Sequence, residues 1–152
     1  MNRAVLIERL TAHEGNRDFP YDDATGKALR PGDKLVGNIT IGVGINLSAG
    51  LSVSERNFLL ETRISAAIHE LDENAPWWSG LDDARREVLG ELTFNLGWPK
   101  LSRFGKMLAA LQRRDYQVAA IEMRDSIWAR QVGQRAHTLA DLMQNGDPIP
   151  IA

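Results

Sequence analysis

Residues 13–46 interrupt a chain that is otherwise patterned for amphipathic helices. Pro20, Gly26 and the turn sequence Arg30-Pro31-Gly32-Asp33 punctuate this segment. Downstream, apolar residues recur at the three- and four-residue spacing of a helix. The sequence therefore predicts a mainly helical α+β fold, in which a small β element near the N-terminus is placed among helices.

The helical periods define the expected helices and their buried faces. Gly15 should stop the first helix, Ser52 or Ser54 should cap the long second one, and that helix is long enough to join two lobes. The predicted helices cover residues 2–13, about 53–73, 81–96, 99–112, 115–127 and 134–143, the last being stopped by Asn145-Gly146-Asp147-Pro148. The expected core residues are Phe58, Leu59, Ile64, Ala67, Ile68, Leu71, Ala84, Val88, Leu89, Leu92, Met107, Leu108, Leu111, Val118, Ile121 and Trp128.

Two short strands are predicted within the β element, over Leu35–Val36 and Asn38–Gly44. In the second strand, Thr40, Gly42 and Gly44 should share one face because side chains alternate along a strand. That face would carry a single hydroxyl group and little else. It would leave room for a bulky chain molecule to lie against the backbone.

Two carboxylates in this region have unlike predicted surroundings. Glu14 ends the first helix, where the negative end of the helix dipole disfavours an ionised carboxylate. Asp23 follows in the loop, and two such groups can divide the roles of acid and base. The alternative is structural, with Glu14 closing a turn and Asp23 forming an Asx turn before Thr25-Gly26. Asp22 competes with Asp23 for the catalytic role.

Composition excludes several classes of function. The formal net charge is −2, which argues against a nucleic-acid-binding protein. The chain has no cysteine, and His13, His69 and His137 lack the spacing of metal ligands, so we expect no metal and no cofactor. No stretch approaches the roughly 20 apolar residues of a membrane span, and residues 1–10 do not have the pattern of a signal peptide. We therefore expect no stable membrane insertion.

Several motifs in order resemble the phage-type lysozymes, the muramidases of glycoside hydrolase family twenty-four. The resemblance covers about residues 5–145 and rests on motifs at compatible spacing, with one longer interval between Asp23 and Thr40 that includes the insert Lys27–Lys34. Gly44 is followed by Ile45-Asn46, where many members have histidine. The matching motifs are His13-Glu14-Gly15, Tyr21-Asp22-Asp23, Thr40-Ile41-Gly42-Val43-Gly44, Leu81-Asp82-Asp83-Ala84-Arg85-Arg86, Phe94-Asn95-Leu96-Gly97, and the pair Trp128 and Arg135.

The resemblance implies a single lysozyme domain with two lobes and a cleft between them. The small lobe with its hairpin would comprise residues about 14–60, and the helical lobe would comprise about 1–13 and 75–152. The helix over about 53–73 would connect them.

The resemblance also implies roles for individual residues. Glu14 corresponds to the general acid, Asp23 to the carboxylate that holds the attacking water, and Thr40 to the hydroxyl that helps to hold it. The family inverts the anomeric carbon, so the two carboxylates should be roughly 6.5–9.5 Å apart. Asp23 is preferred to Asp22 because it stands two residues after Tyr21.

Substrate-binding residues are expected around this centre. Gly42 and Gly44 would face the sugar, and Asn95 would reach an acetamido group. Arg135 would bind glycan or peptide carboxylates, although a structural ion pair explains it equally well. Trp77 and Trp78 could stack on sugars, but packing between the lobes is the favoured interpretation.

The implied activity is cleavage of the β-1,4 bond between N-acetylmuramic acid and N-acetylglucosamine in peptidoglycan. The implied role is that of a phage endolysin, which lyses the host cell. The enzyme would be a monomer that stays in the host cytoplasm before release and then acts on peptidoglycan glycan strands in the periplasm or cell wall. The alternatives are a virion-associated lysozyme used at entry and a non-catalytic glycan-binding protein.

Overall fold

The computed structural model describes residues 1–146 of the chain. It is 65% helical and has a small three-stranded antiparallel sheet, which confirms the predicted helix-dominated α+β fold. Within residues 1–146 the helices are α1 Arg3–Glu14, α2 Val53–Asn74, α3 Asp83–Leu96, α4 Trp98–Leu101, α5 Gly105–Gln112, α6 Tyr116–Arg124, α7 Ile127–Val132 and α8 Gln134–Asn145. The strands are β1 Arg17–Asp22, β2 Ile39–Gly42 and β3 Ile45–Asn46, and short 3₁₀ helices cover Leu47–Ala49 and Pro76–Gly80.

The chain forms two compact units. The first unit is Met1–Asn57, and the second is the described part of Phe58–Ala152. The predicted division into a lobe of residues about 14–60 and a helical lobe remains a prediction. Among the described residues, no helix combines the length and the apolar character needed to cross a membrane.

The ends of α1 and α2 follow the predicted signals. Gly15 ends α1 with a φ of 76°, and its N–H donates to the Thr11 carbonyl. Positive φ favours glycine, because other residues are strained there. At the start of α2, Ser52 Oγ accepts from Glu55 N at 3.3 Å, and Glu55 Oε2 accepts from Ser52 N at 2.7 Å. This reciprocal pair is a capping box, and it makes Ser52, not Ser54, the cap.

Two predicted helices are wrong in their bounds. Residues 99–112 form two helices, α4 and α5, because the chain turns at Ser102–Phe104 before Gly105. The helix predicted over 115–127 ends at Arg124, and Ile127 begins α7. The Ser126 hydroxyl accepts from Ala129 N at 3.0 Å, so it caps a new helix that the sequence pattern did not reveal.

The core of the second unit is centred on α3. The predicted inward residues Ala84, Val88, Leu89 and Leu92 are buried, as is Trp128. Val118 and Ile121 were expected in the core but are exposed, because α6 turns a different face inward. That face carries Ala119, Ala120 and Met123. On α2, only Ala67 and Leu71 of the predicted apolar side are buried.

A buried arginine fastens the end of α8 to this core. Arg85 Nε donates to the Met143 carbonyl at 2.8 Å, and Arg85 Nη2 donates to the Gln144 carbonyl at 2.9 Å. The guanidinium lies 3.5 Å from the centre of the Tyr116 ring and forms an ion pair with Asp82. The charge is therefore satisfied by the last carbonyls of a helix, where a cation is favoured.

The sheet of the first unit differs from the predicted one. It has the order β1-β2-β3, and β1, which contains Pro20, was not predicted. A proline is tolerated there because β1 is an edge strand. Leu35–Val36 is not a strand, since Val36 N donates to a side-chain carboxylate instead of a neighbouring strand.

The chain turns at Val43–Gly44, so Gly44 does not continue the strand that carries Thr40 and Gly42. The predicted common face of the three residues is therefore wrong. Gly42 and Gly44 have φ values of 61° and 68°, and such positive values break the alternation of an extended strand.

Candidate functional site

Five of the predicted site residues lie in the first unit. Glu14 ends α1, Asp23 follows β1, and Thr40 lies in β2; the two glycines, Gly42 and Gly44, lie in and just after β2. The other two, Asn95 and Arg135, lie in α3 and α8 of the second unit. Of the first five, Glu14 is in a helix, and the other four are in the β element of the same unit.

Glu14 lies beside the turn that follows β2. A methyl group added to Gly44 would lie 2.8 Å from Glu14 Oε2 and 3.1 Å from Glu14 Cδ. The Glu14 side chain is exposed, and no described residue forms a hydrogen bond or an ion pair with it. The Glu14 carboxyl group thus occupies space that a side chain at position 44 would fill. It forms no contact in the described part of the chain that would make it a structural cap.

Asp22 is a structural residue. It is 2% exposed, and its carboxylate accepts from three backbone N–H groups: Val36 at 2.7 Å, Ala24 at 2.9 Å and Gly37 at 3.1 Å. The hydrogen bond from Val36, with the weaker ones from Gly37 and Ala24, lowers the pKa of this carboxyl below its ordinary value. Asp22 therefore closes the loop that leads from β1 to β2.

Asp23 has the opposite exposure. Its side chain reaches the surface, and both oxygens are engaged by Asn38: Oδ1 accepts from the backbone N–H at 2.7 Å, and Oδ2 accepts from the side-chain amide at 3.1 Å. The backbone hydrogen bond, followed by the side-chain one, lowers the pKa of Asp23. Asp23 is thus an accessible carboxylate that is held ionised.

Thr40 contributes a hydroxyl that lacks a partner in the described structure. The residue is 4% exposed and pairs with Tyr21 on one side and Asn46 on the other. Within residues 1–146 its buried Oγ1 has no hydrogen-bond partner. A buried polar group in that condition costs about 1–3 kcal/mol, so the hydroxyl would gain from any partner brought to it.

The insert Lys27–Lys34 folds back on β1. Leu29 N donates to the Pro20 carbonyl at 2.9 Å, and Tyr21 forms an isolated bridge with Ala28. The predicted turn at its tip is confirmed, since Asp33 N donates to the Arg30 carbonyl at 3.1 Å. The insert therefore extends the pairing of the hairpin and returns the chain to Asp22 and Asp23.

Asn95 and Arg135 both bind Glu91. Asn95 Nδ2 donates to the Glu91 carbonyl at 2.7 Å, within the same helix. Arg135 Nε donates to Glu91 Oε1 at 2.8 Å, and Arg135 Nη2 lies 2.7 Å from the same oxygen in an ion pair. The structural alternative for Arg135, an ion pair, is thus present. Their predicted contacts with substrate remain predictions.

The roles of Gly37 and Asn38 were not predicted from the sequence. A methyl group on Gly37 would lie 2.1 Å from Asp23 Oδ1, so no side chain fits there. Asn38 was interpreted only as the first residue of a strand. The adjacent pair Asp22-Asp23 could have indicated these roles. Two neighbouring carboxylates in a loop need several N–H donors, and part of the returning chain must supply them.

Gly44→Ala should impair the site more than the fold. The new methyl group would displace the Glu14 carboxyl, and the positive φ would cost about 1–2 kcal/mol. If Glu14 is the general acid that the motif resemblance implies, the rate of peptidoglycan hydrolysis should fall by about 10²-fold, as for a catalytic group misplaced by about 1 Å. Gly50→Ala is the matched control, because Gly50 has a φ of 77° and no neighbouring atom within 4 Å of the added methyl. Equal activity in the two variants would contradict this geometry.

The hydrogen bonds to Asp22 predict acid sensitivity of the hairpin. Because its pKa is lowered on folding, Asp22 contributes stability at pH values above its unfolded pKa of about 3.9, and this contribution is lost as the pH falls through the lower folded value. Asp22→Asn should therefore lower the urea midpoint at pH 6 and have a smaller effect at pH 3. NMR signals of residues 17–46 would report the midpoint. Asp18→Asn, an exposed control in β1, should have little effect, and an equal loss for Asp22→Asn at both pH values would refute the explanation.

The described fold and its β element define a helix-dominated α+β protein of the lysozyme-like kind. Comparison with curated proteins found similarity to two relatives from Dictyostelium discoideum. They are "Probable T4-type lysozyme 2", 27% identical over 99 residues, and "Probable T4-type lysozyme 1", 23% identical over 99 residues. Each alignment covers 63% of this chain and 58% of the relative, so the chain matches less than two thirds of each relative's length. No protein-family model matches the chain.

These similarities confirm the resemblance to phage-type lysozymes that the motifs indicated. The assignment to glycoside hydrolase family twenty-four remains a prediction.

Proposed function

We propose that this chain is a lysozyme that hydrolyses the β-1,4 bond between N-acetylmuramic acid and N-acetylglucosamine in peptidoglycan. The similarity to T4-type lysozymes supports the class of enzyme. The observation that carries the proposal is the contrast between two carboxyl groups of the first unit. Glu14 is exposed and unbonded among the described residues, whereas Asn38 holds the accessible Asp23 carboxylate.

In the proposed reaction, Glu14 protonates the glycosidic oxygen of the leaving sugar. Asp23 accepts a hydrogen bond from a water molecule and takes up its proton as the water attacks the anomeric carbon from the opposite face. The Thr40 hydroxyl, which lacks a protein partner in the described structure, would help to hold that water. An arrangement of this kind inverts the anomeric configuration and needs the carboxyl groups to be roughly 6.5–9.5 Å apart.

Asp23 is a better candidate than Asp22 for the base. The Asp22 carboxylate is buried and engaged by three N–H groups, so it has little capacity to bind water. Asp23 is accessible, and each of its oxygens accepts one hydrogen bond from Asn38, which leaves a lone pair on each for a water molecule.

The binding of sugar is proposed to involve four further residues. Gly42 and Gly44 lack side chains where the chain turns after β2, so a sugar ring can approach the backbone there. Among the described residues nothing donates to the Asn95 amide oxygen, so it could accept from an acetamido N–H while the amide nitrogen donates to the Glu91 carbonyl. Arg135 would have to share its guanidinium between Glu91 and a ligand carboxylate.

We further propose that the enzyme acts as a phage endolysin that lyses the bacterial host. It would work as a monomer without metal or cofactor, bind no nucleic acid, and remain in the host cytoplasm until a separately made pore gives access to the wall. Detection of the protein in the periplasm of cells that lack such a pore would contradict this route. A virion-associated lysozyme would have the same chemistry and would copurify with phage particles.

The test of the activity is product analysis on purified peptidoglycan. A hydrolase should release fragments that end in reducing N-acetylmuramic acid, measured by mass spectrometry. An anhydro sugar at that end would identify a lytic transglycosylase instead. Binding to the glycan without any new ends would favour the alternative of a non-catalytic glycan-binding protein, which has no need of an acid at the end of a helix.

A further inference from the structure

Asp23 and Asn38 form three hydrogen bonds with each other across the ends of the insert-bearing loop, which comprises residues 24–37. Asp23 N donates to the Asn38 carbonyl at 3.0 Å, and Asn38 N donates back to Asp23 Oδ1 at 2.7 Å. The Asn38 side-chain amide adds a third bond to Asp23 Oδ2 at 3.1 Å. The two residues are 15 positions apart, so folding of the loop, not local sequence, creates this contact.

These bonds constrain the orientation of the carboxylate plane. One donor on each oxygen prevents the terminal torsion of the aspartate from rotating freely, which it would otherwise do over a broad range. Each bonded oxygen still has a second lone pair for another donor. Asn38 therefore fixes the directions from which a further donor, such as water, can approach Asp23.

The surrounding loop supports Asn38 from one side. Asp22 binds the N–H groups of Val36 and Gly37, the two residues that precede Asn38. Gly37 lies so close to Asp23 that an added methyl group would be 2.1 Å from Oδ1 and 2.7 Å from the Ala24 Cβ. The pair Asp22-Asp23 thus has two distinct tasks, because the first carboxylate anchors the returning chain and the second is oriented by it.

We infer that Asn38 is a positioning residue that orients the Asp23 carboxylate toward the attacking water. The function of the insert-bearing loop is then to place Asn38 beside Asp23. This inference rests on the proposed hydrolysis. It assigns a purpose to the interval between Asp23 and Thr40. The loop of residues 24–37 returns the chain so that Asn38 can donate to the proposed base, Asp23. With a shorter connection, another residue would have to supply this donor.

The test compares Asn38→Ala and Asn38→Asp with the full-length protein. Asn38→Ala removes the side-chain donor and keeps the backbone N–H, whereas Asn38→Asp also adds a like charge. We expect kcat on purified peptidoglycan to fall by about 10- to 10²-fold in Asn38→Ala with little change in KM, because orientation and not binding is lost. Asn38→Asp should be at least as impaired.

A second readout separates positioning from folding. Loss of the amide donor should raise the pKa of Asp23, measured by NMR titration of its carboxyl carbon, and Asn38→Asp should raise it further. The charged group that also acts on Asp23 is Asp22, which raises its pKa and is unchanged in both variants. Because Asp23 must be ionised to act as a base, the acid limb of the kcat profile should move to higher pH. Asn57→Ala, an exposed change in α2, is the control and should alter neither quantity.

An unchanged Asp23 pKa together with an unchanged kcat in Asn38→Ala would overturn this inference and leave the proposed hydrolysis intact. A lower melting temperature with wild-type kcat and pH profile would overturn it too, since the role would then be structural. Full activity of Asp23→Asn would instead refute the role of Asp23 itself, even where Asn38 still controls its titration.

Discussion

Glu14→Gln is expected to reduce hydrolysis of peptidoglycan by about 10²- to 10⁴-fold, the usual contribution of a general acid. Glutamine has nearly the size of glutamate but carries no acidic proton that it could transfer to the leaving oxygen. The fold should be unaffected, because Glu14 is exposed and forms no hydrogen bond with any described residue. The rate of clearing of outer-membrane-stripped cells, followed by turbidity, measures the effect.

Glu8→Gln supplies the control for this experiment. Glu8 lies on the same helix and is also exposed, so its replacement makes the same change of charge at a different position. It should retain wild-type activity. If Glu14→Gln cleared cells as fast as the wild type with an unchanged circular dichroism spectrum, Glu14 would not be the acid.

Asp23→Asn is expected to cause a comparable loss, about 10²- to 10⁴-fold, because an amide cannot accept the proton of the attacking water. The amide also loses one of the two charge-assisted hydrogen bonds with Asn38, since its NH₂ group faces a donor. Binding to insoluble peptidoglycan should persist, so the effect should fall on kcat and not on retention of the protein by the wall.

Asp22→Asn is the informative comparison for Asp23→Asn. The two residues are adjacent, but Asp22 is buried in backbone hydrogen bonds while Asp23 is accessible. Asp22→Asn should therefore lower the stability of the protein, and the fraction that remains folded should lose far less activity than Asp23→Asn does. If the pattern were reversed, with Asp23→Asn active and folded Asp22→Asn inactive, the assignment of the base would have to move by one residue.

The helices were predictable because their signals are local. Ser52 with Glu55, and Gly15 after Glu14, are patterns within four residues that act through one helix end. The inward face of α3 also followed from its period alone. The predicted helix bounds were wrong where a helix is interrupted by a few residues whose conformation depends on tertiary packing. These interruptions lie between α4 and α5 and before α7.

The β element was harder to predict because its contacts are not local. β1 contains a proline and has no alternating apolar pattern, so only its pairing with β2 makes it a strand. The turn at Gly44 was missed, because a period of two cannot distinguish a straight strand from one that ends in glycine. Val36 was assigned to a strand, but its N–H binds the Asp22 carboxylate, a partner 14 residues away that no periodicity reveals.

In the candidate site, too, the residues found from sequence motifs were predictable, whereas the contacts between residues far apart in the chain were not. The resemblance to phage-type lysozymes identified Glu14, Asp23 and Thr40 as candidates, and residue types alone left Asp22 in competition. Geometry separated the two aspartates, since three N–H groups converge on one and a single asparagine holds the other. The importance of Asn38 depends entirely on where the loop returns, which the sequence did not disclose.

The most direct test of the proposed mechanism is the anomeric configuration of the sugar end that the enzyme first produces. Proton NMR of a soluble peptidoglycan fragment, recorded within seconds of adding the wild-type protein, distinguishes the two anomers of the new reducing N-acetylmuramic acid before they interconvert. Attack by a water molecule held by Asp23, opposite to Glu14, predicts that the α-anomer appears first from the β-linked substrate. Initial formation of the β-anomer would contradict this mechanism, because it requires a covalent intermediate or attack from the other face.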